Sequence, residues 1–228
     1  MRALPARLHL TVAAVVASLL GYGLAHAGKV TTSNHHNVQH AQVEANPSLY
    51  VRDVVPSAVA AQTQPHVEAV KAYVAKTVKT WLADSLLIDA ITAQNVRHAH
   101  ITIADIDRLD AGFIERTDRK LIDSTMNSPL ATLLKSKKSA AGGTIFEIFV
   151  IDNKGLNVAQ TDPTLDYMQG DEAKFQKTFL VGPDAVFIDE VAPDDGVNVS
   201  QAAMTIKDPA TGKSIGVIVV SVVVDKLK

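Results

Sequence analysis

The segment Thr161-Asp-Pro-Thr-Leu-Asp-Tyr-Met-Gln-Gly-Asp-Glu172 gathers side chains suited to holding a ligand. Asp166, Asp171 and Glu172 can fix an amino group or a hydroxyl, while Tyr167 and Gln169 can donate to a carboxylate. The same acids have structural uses: Asp171 or Glu172 can cap a helix starting there, and Asp166 can close a turn. Their spacing lacks the ordered alternation of a calcium loop. Three further polar residues, Glu147, Asp189 and Gln201, interrupt apolar strands. Each is either a solvent-facing edge position or part of a pocket lining; Glu147 reads as edge, Asp189 as pocket. Phe149 suits a pocket wall and a core equally. Lys177 and Arg97 are the bases nearest these elements, followed by Arg108 and Arg116, and a solvated surface is the default for each.

Other chemistries lack their residues. Cysteine is absent, which excludes thiol catalysis and thiolate metal sites. No Gly-x-Ser-x-Gly turn and no HExxH motif occurs, so no catalytic residue, cofactor or enzymatic activity is expected. His35-His36-Asn-Val-Gln-His40 and His98-Ala-His100 match no recognised ligand spacing, and no metal site is assigned to them. The net charge of −2, with only Lys135-Ser-Lys-Lys138 as a basic cluster, argues against nucleic acid as a partner.

These residues must be positioned by a modest scaffold. Residues 1–27 read as a secretory signal: Arg2 and Arg7, an apolar run from Leu8 to Leu24, then small residues in Ala25-His26-Ala27. The product is expected in the periplasm or secreted. Residues 28–62 are polar and poorly periodic, a flexible lead-in. Residues 63–228 form one domain. Val67, Val70, Val74, Val78 and Leu82 recur at helical spacing from Pro65, and the pattern runs on through Ile91 towards Asn95, predicting one helix of about thirty residues. Thr63 is its expected cap and Asn95 its expected end. Shorter helices follow at 103–114 and 129–134. Beyond Gly142-Gly143 come strands at 144–151, 156–160, 185–191, 197–207 and 214–224, with a short helix at 172–179 and turns at Asp152–Gly155 and Asp208–Lys213. Hairpins behind a long helix, without strand–helix alternation, make the fold class α+β: a long N-terminal helix packed on a central antiparallel sheet.

This order of elements resembles the Cache family of extracytoplasmic sensor domains, which are PAS-like in shape. The matching pieces are the first helix up to Ala93-Gln-Asn95, the strand and turn Ile148–Gly155, and the block Asp166–Lys177. Val186-Phe-Ile-Asp-Glu190 and Lys207–Lys213 followed by Ile215-Gly216 complete the match. The resemblance covers roughly 65–227 and fits a single-Cache form. It implies a pocket for a small organic acid or amino acid, between the sheet and the loops covering one face. Phe149, Tyr167, Gln169, Asp189, Lys177 and Gln201 are the expected ligand-binding residues. Met168 stands where an aromatic is common in the family. No later stretch is long enough to span a membrane and no output domain follows, so sensing is expected to pass through a partner, such as a membrane-bound signalling protein. A homodimer through the long helix is a further expectation. The alternative is a structural or assembly protein that keeps the scaffold while Phe149 and Met168 fill the hollow.

Overall fold

The computed structural model describes residues 64–227. The signal segment, the lead-in with its three histidines and the Thr63 cap lie outside the described residues. Helix α1 (Pro65–Lys76) continues through a 3-10 turn (Val78–Trp81), and this helical run packs on a central antiparallel sheet. The single thirty-residue helix expected from the periodicity is instead broken: Leu86 N donates to Asp84 Oδ1 at 3.0 Å, so Asp84 caps a separate helix α2 (Ser85–Arg97). The apolar stripe crosses the break because both helices cover the same sheet face; periodicity records burial and is blind to a cap. Asn95 therefore lies inside α2. Its Nδ2 donates to Ile215 O (2.8 Å) and its Oδ1 accepts from Asn153 N (3.0 Å), tying the helix to the last strand and to the first hairpin.

Helix α3 (Ile103–Ile114) opens with a capping box between Thr102 and Asp105. Helix α4 (Arg119–Met126), capped by Asp118, escaped the sequence reading. Ser128 caps α5 (Pro129–Ala140), at the break expected there. The strands are β1 (Ile145–Ile151), β2 (Asn157–Gln160), β3 (Val186–Ile188), β4 (Ala192–Asp194), β5 (Val197–Lys207) and β6 (Ser214–Val223), with the short helix α6 (Ala173–Gln176) between β2 and β3. The sheet order is β2-β1-β6-β5-β3, and β4 also pairs with β5. The expected strand 185–191 is thus reduced to β3, and β4 follows just beyond it as a second short edge piece holding Pro193, which an edge tolerates.

Two faces of the sheet are apolar. Ile148, Val150, Ala202, Met204, Ile218 and Val220 meet Val70, Val74, Val78, Leu87, Ile91 and Leu134 from the helices. The opposite face carries Phe149, Ile151, Ala203, Val217 and Val219 beneath Phe175. Simple alternation would put Ile145 with Phe149. A bulge between Ile145 and Glu147 turns Ile145 into the helix-side core instead.

Candidate functional site

On the face away from the long helical run, strand register brings the three polar interruptions into one row. Glu147 of β1 stands opposite Ser221 of β6, and Ser221 stands opposite Gln201 of β5. Just beyond β3, Asp189 N donates to Gln201 O at 2.8 Å. The next row is Phe149, Val219, Ala203 and Phe187. A polar strip thus runs beside an aromatic one, an arrangement that only long-range pairing creates. Asp189 turns its Oδ1 back onto Glu190 N at 2.9 Å, which commits that oxygen to its own backbone.

Helix α6 covers this face. Phe175 and Phe179 stack with centroids 5.0 Å apart, as their four-residue spacing suggested. Lys174 is buried. Its Nζ stands 5.0 Å from the Phe149 ring centroid and 2.8 Å from Glu172 Oε2. A desolvated ammonium over an aromatic face is stabilised by the ring quadrupole as well as by its carboxylate. Lys177, the base expected from the sequence, is exposed, with Nζ 4.5 Å from the Phe187 centroid. The buried cation is one turn earlier. Sequence spacing did not reveal it, because Lys174 falls outside the Phe175–Phe179 stripe; its one signal was that it directly precedes an inward-facing aromatic.

The acids here are held against ionisation. Burial, then the negative charges of Asp162 and Asp194, pushes Glu147 up from 4.5 to about 7, partly offset by Lys174 and Lys138. Glu147 is half-buried on β1, an interior strand between β2 and β6, so the solvent-facing edge position read from the sequence is corrected. Asp166 rises from 3.8 to about 6, first through burial and then through Glu172 and Asp110, against the pull of Lys174. Lys138 Nζ reaches Asp162 Oδ2 at 2.5 Å at the start of the crossover.

The crossover 161–172 is pinned at several points. Thr161 extends the β1 pairing: its N donates to Ile148 O (2.8 Å), and its Oγ1 accepts from Ile148 N (2.9 Å). Asp110 Oδ1 of α3 accepts from Tyr167 N (2.8 Å) and Met168 N (2.9 Å), and Arg116 Nη2 donates to Thr164 O (3.1 Å). Arg116, whose default from the sequence is a solvated surface, is thus spent on the crossover backbone. Gly170 packs on Gly155 of the first hairpin, and Met168 Sδ accepts from Gly170 N. Glu172 holds the cap position of α6 but spends its carboxylate on Lys174.

The six expected binding residues fall into two groups. Phe149, Gln201, Asp189 and Lys177 lie on or beside the face that α6 covers. Tyr167 packs into the apolar cluster beneath α3, and Gln169 turns back onto the crossover itself. Tyr167 is 2% exposed, its ring 5.8 Å from Phe113, and burial raises its phenol pKa. Gln169 Nε2 donates to Asp166 O at 3.2 Å and to the Asp166 carboxylate. Asn157 Nδ2 donates to the same Asp166 O at 3.1 Å, and the side-chain oxygens of both amides are buried without a partner among the described residues.

The turn acid Asp152 is structural: Oδ1 accepts from Lys154 N (2.8 Å) and Leu156 N (3.0 Å), Oδ2 from Gln94 Nε2 (3.0 Å) and His98 Nδ1 (2.7 Å). Among the described residues no group of three or more His, Asp or Glu is placed to hold a metal, and no helix is long and apolar enough to cross a membrane.

No family model and no curated protein matches the chain. Among solved structures, it is similar to the DcuS sensor domain of E. coli, with 13% identity and a TM-score of 0.35, over 54% of this chain and 90% of that one. It is also similar to the sensory domain of the Campylobacter jejuni chemoreceptor Tlp3 with isoleucine bound (13%, 0.33, 72% of this chain and 66% of that one). A third is the sensor domain of the V. cholerae histidine kinase DctB (15%, 0.33, 69% and 58%). The chain thus spans less than two thirds of the Tlp3 and DctB chains. What the site can bind is set by its own residues.

Proposed function

We propose that this chain is an exported, non-catalytic sensory module of the Cache type, which its sequence resembles. In this reading it takes a small carboxylate or amino acid between this sheet face and α6 and acts through a partner protein. One observation carries the reading: buried Lys174 lies over Phe149, on the face that also bears the half-buried Glu147. A cation and an acid on one aromatic platform match the two ends of an amino acid, and Lys174 alone matches a carboxylate. Gln201 and Ser221, adjacent in the row, add neutral hydrogen-bonding groups. Ligand engaged by Lys174 competes with Glu172 at the root of the crossover, so occupancy is transmitted to Asp110 and α3, an outer surface available to a membrane-bound signalling protein or a second copy.

The alternative, a scaffold without a ligand, draws on the 1% exposure of Phe149 and on Met168 packed against Gly170. A thermal-shift screen of amino acids, monocarboxylates and dicarboxylates separates the two readings. Saturable stabilisation that disappears in Lys174→Met supports binding at this face. Flat responses across the set, from a folded protein, sink it in favour of the scaffold.

A further inference from the structure

On the helix-covered side of the sheet lies a groove of about 550 Å³ that the reading above does not use. It arises from an unequal pairing. Strand β3 ends its register at Val186 opposite Met204, Ala185 O takes Thr205 N at 3.2 Å, and β5 runs on to Lys207 with no further edge partner. The helical run above it changes from α-helix to 3-10 turn at Thr77. Val74, Leu82, Ile88 and Met204 line the gap, and Val186, 42% exposed, stands at its mouth.

The charges around this apolar trough are unbalanced. Both acids that line it are already engaged: Asp184 Oδ1 with Lys207 Nζ at 2.7 Å, and Asp208 Oδ1 with Ala210 N and Thr211 N in its turn. Lys71 and Lys79, two turns apart along the helical run, are exposed and have no acidic partner among the described residues. The volume falls within the ~300–1,000 Å³ typical of small-molecule sites, which are mostly apolar with a few polar groups that fix orientation.

We infer that this groove is a second ligand site, for an amphipathic monoanion with an unbranched hydrocarbon body and a carboxylate head held by Lys71 or Lys79. The body replaces water along Leu82, Ile88 and Val186 and abuts the buried Val74 and Met204, and the long aliphatic stems of the lysines cover it while their ammonium groups reach the head. The site is independent of the Lys174 face: neither Phe149, Lys174 nor Gln201 lines it. Because it wedges between the helical run and the sheet edge, its occupancy is coupled to how α1 packs.

Trp81, the only tryptophan in the chain, precedes Leu82 with its ring against Lys137, and its fluorescence reads changes in how the helical run packs. The full chain is titrated with dodecanoate below its micellar range, following Trp81 fluorescence and methyl NMR shifts of Val74, Leu82, Ile88 and Met204. Saturable binding centred on those methyls is expected. Ala75→Phe, at an exposed lining position, should abolish it while leaving the thermal unfolding midpoint near that of the parent chain. Lys71→Glu with Lys79→Glu should weaken it about tenfold or more, as charge reversal at a partly desolvated head group requires. Dodecyltrimethylammonium, of the same chain length and opposite charge, should bind at least about tenfold more weakly than dodecanoate. Absence of saturable binding, equal affinity for the cation, full binding by folded Ala75→Phe, or shifts centred on the Phe149 face each overturn the inference.

Discussion

Lys174 Nζ stands 5.0 Å above the centre of the Phe149 ring, on a sheet face whose next row carries Glu147. The relationship joins a helix and a strand separated by the whole crossover, and it makes Lys174 the counter-ion shared by Glu147, Asp166 and Glu172. Lys174→Met keeps the aliphatic stem but removes that shared charge. It is expected to weaken any carboxylate ligand about tenfold or more, the scale of one lost charge-assisted hydrogen bond. Calorimetric titration against the best ligand of the thermal screen measures this; unchanged affinity would remove Lys174 from the site.

Glu147 sets a pH dependence of known sign. Its folded-state pKa, about 7 against an ordinary 4.5, means the folded chain binds more protons than the unfolded chain between those values. Stability from this group is fully present below about pH 4.5 and is lost as pH rises through about 7, by on the order of 2 kcal/mol after allowance for its partial exposure. Glu147→Gln should therefore be more stable than the parent at pH 8 and show a smaller loss between pH 4.5 and 8. Urea unfolding at the two pH values tests it; parallel pH profiles for the two proteins would refute the shift.

Asp110 holds the crossover by accepting from two successive backbone amides, Tyr167 N and Met168 N. Asp110→Ala strands both donors in a part-buried setting and should cost about 2–4 kcal/mol. Asp110→Asn retains an acceptor oxygen and should cost about half as much or less. Hydrogen exchange at residues 167–170 should accelerate strongly in the alanine variant and modestly in the asparagine variant. Equal exchange in both would show that α3 does not anchor the crossover.

Gly155 is needed for two separate reasons. Its φ is +84°, and a Cβ there would come within 2.7 Å of Gly170 N and closer still to Gly170 Cα. Gly155→Ala thus combines left-handed backbone strain with a backbone clash that no rotamer relieves, and should destabilise by about 2–4 kcal/mol. Gly142, also at positive φ but with open space around its Cβ, provides the comparison: Gly142→Ala should cost about 1 kcal/mol. Chemical denaturation measures both; similar costs would discount the Gly155–Gly170 contact.

Much of the architecture was legible in order of residues alone. Valines at helical spacing, the Asp152–Gly155 and Asp208–Lys213 turns and the apolar strands all depend on neighbours within a few positions, where the pattern and its physical cause coincide. Strand and helix types followed, and with them the α+β class. Local signals of similar strength were harder to rank. Asp84, Asp118 and Asp110 look alike as acids on helices, yet the first two cap and the third reaches across to Tyr167 and Met168. The break at Asp84 was hidden because burial on a common sheet face kept the apolar period running through it.

By itself the sequence determined which residues could be buried, where the chain turns, and that a polar segment rich in acids interrupts a sheet. Tertiary structure alone decided which of those polar groups share a surface. Register placed Glu147, Ser221 and Gln201 in line, the bulge after Ile145 moved that residue to the other core, and docking of α6 chose Lys174 over Lys177. The physical reason is range: propensity and periodicity act over a few residues, whereas pairing, desolvation and charge–charge interaction act between residues that only the folded chain brings within a few ångströms.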